Sequence, residues 1–165
     1  MEEIQTLNHE LVARLIADAK ASPRLRTHYN FHATLEENPH RFLNVMLRGS
    51  YFTPHRHLQP PKSESFLVLT GEVGFLQFDD AGQVIQTQRL RPNGLLEHDG
   101  SVMGVDVAPG VWHNLVVLSE VAVCYEVKPG PYRPSDDKEF AEWAPHEGQP
   151  GCTAYLESLL RHFPS

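Results

Sequence analysis

His55 and His57 stand one residue apart in "TPHRHLQPP", Glu64 follows seven residues after the second histidine, and His113 comes after the turn signal Pro109-Gly110. In an extended strand, residues i and i+2 face the same side, so both imidazoles point one way and Arg56 the other. Pro60-Pro61 makes the connection stiff and extended, able to return the Glu64 carboxylate to the same centre. His113 opens the next apolar run, where its ring can point inward. Three imidazoles and a carboxylate form a donor set that leaves coordination positions open for water or substrate, as in catalytic rather than structural metal sites. Without thiolate, the set suits one divalent ion per chain, Fe, Mn, Ni, Co or Zn, and does not choose among them. The plainer alternative is a solvated His-Arg-His loop and a core histidine at 113, since ten histidines in 165 residues make chance pairs common.

Such donors need elements to carry them. "RFLNVMLRGSYF", "SFLVLTGEVGFLQF", "QVIQTQRL", "MGVDV", "WHNLVVL" and "VAVCYEV" are short, branched and aromatic runs. Turn signals at Gly71, Asp79 to Gly82, Pro92-Asn93-Gly94 and Pro109-Gly110 separate them, the pattern of a β-sandwich or barrel. Ahead of them Leu7, Leu11, Val12, Leu15, Ile16 and Ala19 follow helical spacing, with Thr6 or Asn8 as cap and Pro23 as the stop. Residues 24–40 read as loop with short turns. After Lys128 a long irregular stretch leads to Tyr155, Leu156, Leu159, Leu160 and Phe163, spaced for a short closing helix.

With 41% hydrophobic and 21% charged residues, the chain is expected to fold as a soluble globular protein. A formal charge of -7 with no basic cluster argues against a nucleic-acid partner. The first residues lack a secretory signal and no run is long enough for a bilayer, so no membrane partner and a cytoplasmic location are expected. Cys124 and Cys152 lack the spacing of a zinc or redox pair and read as reduced thiols.

Gly49, His55, His57, Glu64 and Gly71 resemble the first cupin motif, with "QPPK" lengthening the step from His57 to Glu64; Gly104, Pro109, Gly110 and His113 resemble the second. More narrowly, "PHRHLQPPKSESFLVLTG", "APGVWHNLV", "YEVKPGPY" and "DKEFAEWAPHEG" resemble the WbuC family of cupin-fold metalloproteins. The resemblance implies an all-β core, a cupin-type jelly-roll β-barrel with an N-terminal helix and a short C-terminal helix. It also implies a divalent metal at His55, His57, Glu64 and His113, and by analogy with cupins a homodimer. The expected division is 1–40 as helix and loop packed on the barrel, and 41–165 as barrel with C-terminal loop and helix. The WbuC name is associated with bacterial surface-polysaccharide gene clusters and carries no settled activity.

Around the centre, Lys62, Lys128, Tyr132 and Arg48 are candidates for binding an anionic or sugar-like small molecule. Glu126 and Tyr132 are candidates for catalysis, and Trp143 offers a stacking face or a pin for its loop. Arg56 is expected to face solvent or an interface, and His28, His32 and His98 to lie in loops without a role. The first functional reading is a metal-dependent enzyme on a small sugar-like or carboxylated substrate, of isomerase, epimerase or lyase type. An Fe(II) oxygenase keeps the same donors. A noncatalytic metal-anchored binding or sensing module is the alternative from another class, and a metal-free sugar-nucleotide epimerase with His57 or His113 as base is a third.

Overall fold

The computed structural model describes residues 4–135 and 138–164. In chain order its elements are α1 (His9–Ala21), β1 (Arg26–Asn30), β2 (His40–Leu47), β3 (His55–Arg56), β4 (Glu64–Thr70) and β5 (Val73–Phe78). Then follow β6 (Val84–Leu90), β7 (Gly104–Val107), β8 (Trp112–Val117), β9 (Val121–Lys128), β10 (Glu139–Phe140) and α2 (Cys152–Leu160). Each apolar run read in the sequence becomes a strand. The strands pair antiparallel into two sheets, ordered β1-β2-β9-β4-β7 and β10-β3-β8-β5-β6. Without the outer β1 and β10, the orders 2-9-4-7 and 3-8-5-6 are those of two interleaved Greek keys, the jelly roll. The architecture is therefore the cupin-type jelly roll, with one helix on each outer face.

Strand alternation sorts the side chains into layers. On β2, Leu43, Val45 and Leu47 turn outward and pack with Leu15 and Ala19 of α1 and Val123 of β9. Between the sheets Met46, Phe66, Val68, Phe75, Leu115 and Cys124 fill one end of the sandwich. On the other outer face Leu156 and Leu159 of α2 pack with Leu76, Phe78, Trp112 and Val116. Asn8 caps α1, its side-chain oxygen accepting the Leu11 N–H at 2.9 Å. Both cysteines are free thiols. No described helix is long and apolar enough to cross a membrane.

Two segments differ from the sequence reading. Residues 26–30, "RTHYN", form an edge strand and not a loop, pairing with β2 from Arg26↔Met46 to Asn30↔Phe42. Its polar composition hides it, because the inward-facing His28 and Asn30 border a cavity instead of a core. The long stretch after Lys128 contains β10, two exposed residues that register on β3 with Phe140 opposite His55.

Gly71 and Gly49, the glycines that flank the first motif, have φ of 78° and 92°. A Cβ on Gly71 would collide with the Val121 carbonyl, whereas one on Gly49 would meet only the end of the Leu25 side chain at 3.3 Å. Gly71→Ala is expected to destabilise the fold by roughly 3 kcal/mol, and Gly49→Ala by about 1 kcal/mol. Urea denaturation of the two variants checks this, and equal losses would contradict the role given to the Val121 contact.

Candidate metal centre

Four buried donors meet on facing strands. His55 on β3 registers directly opposite His113 on β8. His57 lies just past β3, its carbonyl accepting the Gly110 N–H at 3.0 Å, and Glu64 begins β4 in the other sheet. A turn closed by the Leu58↔Pro61 bridge absorbs the additional residues between His57 and Glu64, so the carboxylate still arrives. The ligand atoms of the four residues all lie within 4.8 Å of one another. Glu64 Oε1 is 3.3 Å from His113 Nε2 and 3.8 Å from His55 Nε2, and it also contacts His57 Nε2.

The backbone fixes which nitrogen faces inward. His55 Nδ1 donates to Thr53 O at 3.1 Å, and His113 Nδ1 to Val111 O at 2.9 Å. A carbonyl can only accept, so Nδ1 carries a proton in both rings and Nε2 is the nitrogen turned towards Glu64. Such outer hydrogen bonds orient metal-binding imidazoles. His55 Nε2, His113 Nε2 and Glu64 Oε1 have no hydrogen-bond partner outside the quartet among the described residues. Three imidazole nitrogens converging with a buried carboxylate oxygen are the donors a divalent ion takes. The donor set fits a divalent cation, in agreement with the ligands read from the sequence.

Electrostatics keep these groups in binding form. Burial, then the nearby Lys138 and His113, holds His55 well below the ordinary histidine range, so it is neutral. Burial alone would push Glu64 up, but the His113 and His57 contacts outweigh it and hold the carboxyl well below its usual range. Glu126 goes the other way. Burial first, then the adjacent Glu64 charge, pushes it well above the carboxylate range, and it shares a hydrogen bond with Glu64. Its other contact is Asn44, whose Nδ2 donates to Glu126 Oε2. Two neighbouring carboxyl groups are thus set apart, one charged and one neutral.

His55, Glu64 and His113 of the quartet border a cavity of about 480 Å³. Glu126, Lys128 and Tyr132 line it, as do His28, His32 and His40, which sequence reasoning passed over or left in loops. For His40 the signal was present as alternation, because His40, Phe42 and Asn44 on β2 lie on the same face as Met46. Lys62 and Arg48 do not line the cavity. Lys62 is buried beneath its wall, donating Nζ to Pro131 O at 2.8 Å. Exposed Arg48 contacts Leu118 O, where β8 ends, at the opposite end of the sandwich from Glu64. Trp143 packs on Phe78 and Trp112 among the α2 contacts and pins its loop. Arg56 points away from the metal donors, pairing with Glu139 at 2.8 Å and lying 4.4 Å over the Trp112 ring.

The family model described as "Domain of unknown function (DUF6016)" matches residues 7–90, which carry three of the four donors. The chain belongs to DUF6016. This DUF6016 chain is similar in structure to the capsular polysaccharide assembling protein CapF from Staphylococcus aureus. The TM-score is 0.58 at 20% identity, over 73% of this chain and 33% of that one. CapF with the inhibitor 3-isopropenyl-tropolone gives 0.54 at 22%, over 70% and 31%. Protein SO0799 from Shewanella oneidensis gives 0.55 at 13%, over 80% and 84%. The DUF6016 chain spans about a third of the length of CapF, and at these identities the likeness is one of fold. No curated protein matches it.

Because Glu126 folds as a neutral acid and unfolds as an ordinary one, folding takes up a proton between the two pKa values, and its stability contribution falls as pH rises through that window. Glu126→Gln is expected to raise the melting temperature of the metal-free protein at pH 7, with the gap closing below about pH 4. Calorimetry across that range checks the sign; a variant less stable at pH 7 would contradict a neutral Glu126.

Proposed function

We propose that this chain is a divalent-metal cupin acting on a small sugar-like or carboxylated molecule held in the cavity, by proton transfer of the isomerase, epimerase or lyase type. The observation that carries the reading is the convergence of His55, His57, Glu64 and His113 at the floor of a cavity whose wall holds Lys128, Tyr132 and the neutral Glu126. Bound there, a divalent ion supplies Lewis-acid polarisation of a substrate oxygen. His55 and His113, fixed by the backbone carbonyls at Thr53 and Val111, hold their lone pairs in place without reorganisation. Lys128 and Tyr132 orient the ligand from the wall. Glu126, held by Asn44 beside Glu64, gives or takes a proton at its carboxyl group. Surface-polysaccharide metabolism is the setting this reading favours, supported by the resemblance to the WbuC family and by the name of CapF.

Elemental analysis of the purified protein is expected to find about one divalent ion per chain, lost in His55→Ala and His113→Ala. Glu126→Gln should keep the ion. Incubation of the metal-loaded protein with hydroxy acids and sugars in heavy water should put deuterium on a substrate carbon, and Glu126→Gln should abolish it. Wild-type protein that stays metal-free after exposure to divalent ions would overturn the metal reading. Ligand binding without exchange or turnover would make the chain a binding module.

A further inference from the structure

The cavity has a second polar wall, nearer its mouth. His40 on β2 and Lys128 on β9 are cross-strand partners, and both are buried. The His32 ring stacks on His40 with centroids 4.0 Å apart and planes 5° from parallel. Tyr132 stands close by, its ring 6.0 Å from Lys128 Nζ, and Leu35 O ties the two sides by accepting from the Tyr132 N–H at 2.9 Å and His40 Nε2 at 3.0 Å.

His32 is only 6% exposed and lines the cavity. Its Nδ1 is engaged by the backbone of Arg41, whose N–H lies 3.2 Å and whose carbonyl 3.1 Å away, and Nε2 is the ring nitrogen left for the cavity. Glu37 turns its carboxylate to the Ala33 N–H and to Arg41, outside the cavity lining. The groups acting on the cavity histidines are basic: His32, Lys128 and Lys62 depress the proton affinity of His40 after burial does, and Arg24, His32 and Lys128 act likewise on His28. Among the described residues, the acids lining the cavity are Glu64 and Glu126, at its floor. A buried lysine among histidines on a cavity wall is a place for a negative charge.

Lys128 lies two residues beyond Glu126 on one strand, a step of roughly 7 Å. We infer that His32, Lys128 and Tyr132 form an oxyanion subsite, with the His40 ring stacked on His32 as its support. It receives the carboxylate or phosphate of a short polyol chain whose other end reaches the centre at His55, His57, Glu64 and His113. The substrate class is then an open-chain sugar acid or sugar phosphate with its charge at the end away from the metal; this second end rests on the metal-cupin reading above.

Titration of the wild-type protein with inorganic phosphate, and separately with acetate, followed by calorimetry, tests the subsite directly. Lys128→Met keeps the aliphatic stem, and His32→Phe keeps the stacked ring. Each is expected to weaken anion binding about tenfold while retaining metal content and a cooperative melt. His113→Ala, which removes a metal donor, should bind phosphate as wild type does. The tighter of the two anions identifies the tail of the substrate. Unchanged affinity in both subsite variants, loss of phosphate binding in His113→Ala, or no binding of either anion to wild type would overturn the inference. A metal-free wild type would defeat the metal reading and leave the comparison with Lys128→Met and His32→Phe intact.

Discussion

A carboxylate 2% exposed, with imidazole nitrogens converging on it, is the constraint on which the rest of this structure depends. Removing such a charge from water costs several kcal/mol, which the imidazole contacts offset only if their geometry is held. The scaffold has to keep these groups in place. It does so by over-determination: His55 and His113 are opposed in register, each ring is locked by a backbone carbonyl, and Glu64 is anchored in the other sheet through its pairing with Val107. Two sheets closed on each other, with a helix behind each, give the stiffness this needs.

The strands of the double Greek key and the four donors were legible in the sequence because both signals are local. A run such as "VAVCYEV" shows its period in a few residues, and His-x-His is adjacent on one face. The cavity wall was not legible, for a physical reason. Its residues sit on core-facing positions but are polar, so β1 reads as loop and His40 as loop end, although both continue the sheet. His32, outside any strand, reaches the wall through a stack on His40 and the Arg41 backbone, contacts that no sequence spacing reveals. Lys62 and Arg48 failed to line the cavity because closeness in sequence to His55 and Glu64 says nothing about which side of a strand, or which end of a sandwich, a long side chain reaches.

The arrangement of Glu64 and Glu126 illustrates how a β-sandwich makes chemistry from repetition. Phe66 on β4 registers with Glu126 on β9, and Glu64 is two residues before Phe66 on the same inward face. Neighbouring strands thereby bring two carboxyl groups of the same kind into contact, and the field of the imidazoles ionises one at the expense of the other. No sequence motif announces Glu126; the jelly-roll strand order does, by placing β9 between β2 and β4.

Along β9 the inward side chains run Ala122, Cys124, Glu126, Lys128, and along β2 they run Met46, Asn44, Phe42, His40, from packed core to open mouth. A molecule entering between these strands leaves a medium of high dielectric constant for one of low dielectric constant within a few ångströms. The same unit charge interacts several times more strongly at the inner end than at the outer. The interleaved sheets thus act as a gradient of permittivity, in which a ligand's end groups are distinguished by depth before any individual contact is made.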